Sequence, residues 1–134
     1  MFLCNVSIYS FKGNIMATKN ILEIFASNFI SIEYRVRFLH DALKKPEKMM
    51  NKICHNTSYV FSNKFLNSKL VYDGEEKCLF YNVVGHMEET TWDIAIKEIK
   101  SYGNGGYLII SYDGNTFYAE SEGESQVKKY FGKV

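Results

Sequence analysis

The chain has a single proline, three cysteines and almost no net charge, with 16 Lys+Arg against 15 Asp+Glu over 134 residues. Each shortage removes a class. One proline and no biased tract exclude collagen-like, Pro-rich and low-complexity architectures. Cys4, Cys54 and Cys78 form neither a C-x-x-C pair nor an even set, so no zinc ribbon, redox dithiol or disulfide framework is expected. Reduced thiols in a cytoplasmic protein are the plain reading. A formal charge of +1 withholds the basic excess that phosphate neutralisation requires, and nucleic acid is not expected as the partner. No window approaches the ~18 uncharged apolar residues of a membrane span. The apolar start, Met1-Phe2-Leu3-Cys4, precedes the first lysine, Lys12, instead of following a basic stretch, which argues against a signal peptide. Met16, ahead of Ala-Thr-Lys, is an alternative start, and residues 1–15 would then be an upstream extension.

Aromatics, in contrast, are plentiful: ten Phe, ten Tyr and one Trp within a 46% hydrophobic composition. That is enough apolar matter for a packed core and excludes a disordered chain. The length suits one domain, 1–134. Charge is split along the chain. Residues 1–67 hold nine Lys+Arg against four Asp+Glu, and residues 68–134 hold seven against eleven. Such asymmetry can mark two faces with different partners.

The first half has helical periodicity. Ile21, Leu22, Ile24, Phe25, Phe29 and Ile32 recur at helix spacing after Thr18 or Asn20 as N-cap. A second helix carries Tyr34, Phe38, Leu39, Ala42 and Leu43 and must stop before Pro46. Pro46 then opens a third helix with Met49, Met50 and Ile53. The second half has strand character around one helix. Leu70–Tyr72 and Lys77–Val84 flank Asp73-Gly74 as a hairpin, with Tyr59–Phe61 a possible preceding strand. Thr90 or Thr91 caps a helix bearing Trp92, Ala95, Ile96 and Ile99, with Asp93 completing a weak capping box. Tyr107–Tyr112 and Thr116–Glu120 flank Asp113-Gly114-Asn115, the strongest hairpin signal in the chain. Ser121, Glu124, Val127, Tyr130 and Phe131 suggest a short C-terminal helix. The expected class is α+β: N-terminal helices packed on a mainly antiparallel sheet of four to five strands, one helix between two hairpins, and that terminal helix.

No pattern supports chemistry. Gly103-Asn104-Gly105-Gly106 follows a helix and precedes a strand, the reverse of a phosphate loop, so a helix C-cap explains it. Cys54 and His55 are adjacent, and on a helix neighbours diverge by about 100°, too far for a nucleophile and its base. His40, His55 and His86 show no metal-ligand spacing. No cofactor, no metal and no catalytic residue is therefore assigned. Carboxylates cluster near predicted turns and strand ends: Glu88, Glu89, Asp113, Glu120, Glu122 and Glu124. If the strand continues, Glu120 and Glu122 share one face as an acidic stripe beside Asp113. Their plain role is solubility; their functional one is an acidic patch that meets a basic protein. Tyr112 and Tyr118 fit strands, and tyrosine is also a favoured interface anchor.

The stretches Trp92–Lys97, Gly105–Gly114 and Phe117–Glu120 resemble, in style, the small bacterial immunity proteins of polymorphic toxins, including contact-dependent growth inhibition systems. The resemblance covers about the last 45 residues and includes no diagnostic motif. It implies a cytoplasmic, non-catalytic protein that binds a cognate toxin C-terminal domain, often a nuclease, and occludes its active or substrate-binding surface. The partner-binding residues would be Asp113, Glu120, Glu122, Glu124, Glu88 and Glu89, with Tyr112 and Tyr118 as anchors. Two alternatives stand beside it: a mobile-element or phage inhibitor of a host defence protein, and a small cysteine-dependent enzyme.

Overall fold

The computed structural model describes residues 17–123 and 126–134. Cys4, the alternative start at Met16, the 1–15 extension and Glu124 lie outside the described residues.

Helix α1 spans 17–29. Ile21, Leu22, Phe25, Ala26 and Phe29 are buried along one stripe, the three-to-four spacing of an amphipathic helix. Thr18 and Asn20 lie inside this helix and do not cap it. Ile24 and Ile32, expected in the apolar stripe, are exposed. Helix α2 runs Arg35–Lys44 and α3 runs Pro46–His55, with the proline in the first turn. There its missing N–H removes no helical hydrogen bond. A one-turn helix, α4, covers Thr57–Val60. It replaces the strand expected at Tyr59–Phe61, of which only Phe61 makes an isolated bridge, to Ile30.

Five strands follow: β1 Lys77–Tyr81, β2 Met87–Thr91, β3 Gly105–Ser111, β4 Thr116–Glu122 and β5 Lys129–Lys133. Helix α5, Trp92–Tyr102, sits between β2 and β3. All pairings are antiparallel, in the spatial order β2-β1-β3-β4-β5. The α+β class and the antiparallel sheet follow the sequence reading, and so does one helix between two hairpins.

Three local expectations fail. The partner of β1 is Met87–Thr91, and Leu70–Tyr72 belongs to no strand. The turn that makes this hairpin is Asn82–His86. Asn82 Oδ1 accepts from the N–H of Val84 at 3.2 Å and of His86 at 3.0 Å, and Gly85 takes a left-handed φ of 87°. The β-branched pair Val83-Val84 disguised that turn as strand. The Asp73–Glu76 turn serves α5 instead. Trp92 N–H donates to Glu76 O at 3.0 Å and Asp93 N–H to Gly74 O at 2.9 Å. These carbonyls occupy two of the amides that a helix start leaves open, and Thr91, at the N-cap, makes no side-chain cap bond. Finally, the C-terminal helix is a strand, β5. Tyr130 packs on the core under α1–α4 and Phe131 on the α5 side, the two-residue alternation of a strand.

The sheet is covered on both faces. Leu79, Tyr81, Leu108, Ile110, Phe117 and Ala119 join the α1–α4 core. Cys78, Phe80, Tyr107, Ile109 and Tyr118 join Trp92, Ala95 and Ile99 of α5. Every residue of β3 is buried, which is why its sequence is a continuous apolar run rather than an alternation. Phe117 anchors the thicker core, with ring centroids 5.4 Å from Phe25, 4.7 Å from Phe29 and 4.8 Å from Phe61. Gly132 is required there by close approach. A Cβ on it would lie 2.8 Å from the Phe117 ring, 2.9 Å from the Phe29 ring and 2.9 Å from Phe65 O.

The outer side of β5 is occupied by residues 65–67: Asn67 N–H donates to Phe131 O at 2.9 Å and Lys133 N–H to Phe65 O at 3.2 Å. The outer side of β2 receives no backbone hydrogen bond from the other described residues.

Candidate functional site

The expected acidic patch divides into three places. At the β2 edge, Glu88 and Glu89 are exposed. Tyr112, half-buried at the end of β3, donates its phenolic hydrogen to Glu89 Oε1 at 2.6 Å. Burial and this bond both raise the Tyr112 pKa above the ordinary phenol value. Lys77, Glu89, Thr90, Thr91, Ile94 and Tyr112 line a groove of about 380 Å³ along the strand. Ile94 is 58% exposed there, an apolar side chain left facing solvent next to an aromatic one.

Asp113 follows Tyr112 directly. Its Oδ1 accepts from Ser111 Oγ at 2.6 Å and from the Asn115 N–H at 2.9 Å, so that oxygen is committed to the turn and Oδ2 is left for a partner. Asn28 of α1 fixes the same tip, donating to Gly114 O at 3.2 Å and Asn115 Oδ1 at 3.0 Å. Across the end of the sheet, Glu76 is held above its usual carboxylate value by burial and then by Asp113 and Asp73, with the Trp92 indole and Lys133 opposing. Negative charge thus concentrates at this corner, whereas α2 and α3 carry Arg35, Arg37, Lys44, Lys48 and Lys52.

Glu120 and Tyr118 do not belong to an exposed patch. Both are buried, and Tyr118 donates its hydroxyl hydrogen to Glu120 Oε2. They line a 360 Å³ hollow beside α5 with Lys100 and Lys129. Burial first, and then this bond, raises the Tyr118 pKa. Glu122 points elsewhere: its Oε1 lies 3.4 Å from His55 Nε2 on α3. The stripe of Glu120 and Glu122 is therefore not formed, because one carboxylate meets the α5 layer and the other meets α3. Of the residues expected to act together, the structure joins Glu89 and Tyr112 by a hydrogen bond, with Asp113 next to Tyr112 in the chain. Glu88 points to the other face of β2, its Oε1 3.7 Å from His86 Nε2.

The thiols are placed unfavourably for nucleophilic chemistry. Cys54 is buried while His55 is exposed, as a step of about 100° per helical residue requires. Burial, with Glu122 adding, pushes the Cys54 thiol up to about 11; burial, with Glu76 adding, pushes Cys78 up to about 12. A reactive thiolate needs the opposite surroundings, electropositive and partly open. Among the described residues no group of three His, Cys, Asp or Glu is placed to hold a metal ion, and no helix is long and apolar enough to cross a membrane.

Sequence reasoning missed a cleft of about 780 Å³ on the helical layer between α2 and α3. Tyr34 and Asp41 line it and are nearly fully buried. The available signal was an Asp at a position where the α2 periodicity demands an apolar side chain.

Comparison with protein-family models, with characterised proteins and with solved structures finds no match to this chain. The chain is a three-layer α+β protein with an acidic, partly apolar sheet edge.

Proposed function

We propose that the protein is an immunity protein: in the cytoplasm it binds a cognate toxin domain, a nuclease, and blocks that domain's active or substrate-binding surface without chemistry of its own. The groove along β2 is the observation that carries this reading. Exposed Ile94, half-buried Tyr112 and exposed Glu89 line it together, and Glu88 is exposed on the same strand. Protein interfaces combine apolar or aromatic anchors with polar groups in this way. A nuclease holds phosphates and so presents basic side chains; an acidic edge complements them and steers encounter. The raised thiol pKa values weigh against a cysteine-dependent enzyme.

Co-expression with the product of the adjacent upstream gene tests the reading. The expected result is co-purification as a stable complex and survival of cells that express that product. Substitution of Glu88 and Glu89 by lysine should weaken both, while stability falls by no more than the lost Tyr112–Glu89 bond, about 0.5–1.5 kcal/mol. A protein that neither binds this product nor rescues growth is not its immunity partner.

A further inference from the structure

The cleft between α2 and α3 lies on the basic helical layer, away from the β2 groove, and its floor poses a separate question. Tyr34 Oη and Asp41 Oδ1 are buried and have no hydrogen-bond partner among the described residues, although their residues are only 2% and 4% exposed. Leaving a buried polar atom unpaired is costly, and most so for a charged one. Carboxylate Oδ1 can only accept. The missing partner is therefore an N–H or O–H donor from outside the described residues.

The walls narrow the choice. Arg37, Lys48 and Lys52 line the cavity together with Glu33, Asp41 and Glu47, a balance of three positive and three negative side chains. None of these six forms an ion pair among the described residues. A ligand bearing only one sign of charge meets like charges on part of this lining. A ligand with both charges, set apart, meets both. The Tyr34 and Tyr59 rings, with centroids 5.8 Å apart, offer an apolar wall for the methylene groups between its charged ends. A volume of about 780 Å³ is that of a metabolite site.

We propose that this cleft binds a basic α-amino acid, with its carboxylate at one end and its side-chain cation at the other. Its ammonium or guanidinium group donates to Asp41 Oδ1 and Tyr34 Oη, and its carboxylate lies against Arg37, Lys48 and Lys52.

L-Arginine is the probe, titrated by calorimetry and by amide chemical shifts against the full chain. Agmatine, which has the same guanidinium but no carboxylate, reports on the basic wall, and ionic-strength-matched sodium chloride controls for salt. Saturable L-arginine binding, with shifts centred on α2 and α3, is the expected result. Agmatine should bind at least about tenfold more weakly, as should Asp41→Asn, the loss expected for one charge-assisted contact. Lys52 is exposed on α3, so Lys52→Ala keeps the fold and should weaken L-arginine but not agmatine. That variant decides the matter if Asp41→Asn does not fold. No saturable binding, equal affinity for agmatine, or undiminished affinity in Lys52→Ala or a folded Asp41→Asn overturns the proposal and leaves ordered water as the partner of Asp41.

Discussion

Tyr112, at the end of β3, reaches past β1 to donate its phenolic hydrogen to Glu89 on the edge strand β2, at 2.6 Å. One side chain thus ties the centre of the sheet to its open edge and holds a carboxylate in place at the same time. Tyr112→Phe tests both roles. The bond is solvent-facing, so its loss should lower stability by only about 0.5–1.5 kcal/mol, read as a small shift in urea midpoint. Partner affinity should fall by more than that stability change implies, because Glu89 loses its fixed orientation. Unchanged affinity would mean that the bond serves the fold alone.

Alkali should destabilise the protein over a defined window. Tyr34 is held up to about 12, chiefly by burial and next by the Asp41 carboxylate, with Arg37 opposing. Cys54 and Cys78 stand at about 11 and about 12. All three are acids that the folded chain keeps protonated longer than the unfolded chain does. Stability is therefore full below the unfolded values, about 9 for thiols and 10 for phenols, and is lost as pH rises through the folded ones. Urea midpoints that stay level from about pH 8 to about pH 11 would contradict this. Tyr34→Phe should flatten the fall between 10 and about 12.

The same burial predicts silent thiols. In a Cys4→Ser background, Cys54 and Cys78 should resist a thiol reagent at neutral pH and react fully once the chain is unfolded in urea. Labelling of the native protein at the rate of free cysteine would reopen the enzyme reading.

How much of this was legible in the sequence depends on the strength of the local signal. Asp113-Gly114 between two apolar runs placed β3 and β4, since few turns compete at that spacing. Pro46 placed the α2–α3 junction because the ring cannot sit inside a helix. Where periods are short, two readings coexist. Tyr130 and Phe131 suit a helix face as neighbours of Val127, yet in β5 they point to opposite sides of the sheet. Strand β2, with its Glu88 and Glu89, has no apolar alternation to find, because an edge strand need not bury a full face. The acidic residues were visible as residue types. Their division between a buried pair, a contact to α3 and the β2 edge is tertiary and had no local sign.

Gly132 offers a direct check of the core. Its backbone φ is not in the left-handed region, so alanine meets no conformational penalty, only the two rings and the Phe65 carbonyl within 2.9 Å. The Phe65 backbone also accepts from Lys133 at 3.2 Å, which limits how far it can retreat. Gly132→Ala should cost about 1–3 kcal/mol, the range of an overpacked core. Differential scanning calorimetry would show it as a lowered midpoint. A neutral result would mean that residues 65–67 shift freely and do not guard the β5 edge.

The charge of the β2 edge should act on the rate of association more than on dissociation. Glu88 and Glu89 are exposed on β2, and Glu89 lines the groove with Ile94 and Tyr112. Exposed charges attract a basic partner across solvent, and salt screens them over about 8–10 Å. Buried anchors instead control how long the complex lasts. Glu88→Lys with Glu89→Lys should thus lower kon about tenfold or more at low salt, and the difference should shrink as salt is raised. Ile94→Ala should leave kon nearly unchanged and raise koff. Stopped-flow or surface-binding kinetics separates the two. If both variants act on koff alone and salt has no effect, the acidic residues of β2 contribute solubility rather than recognition.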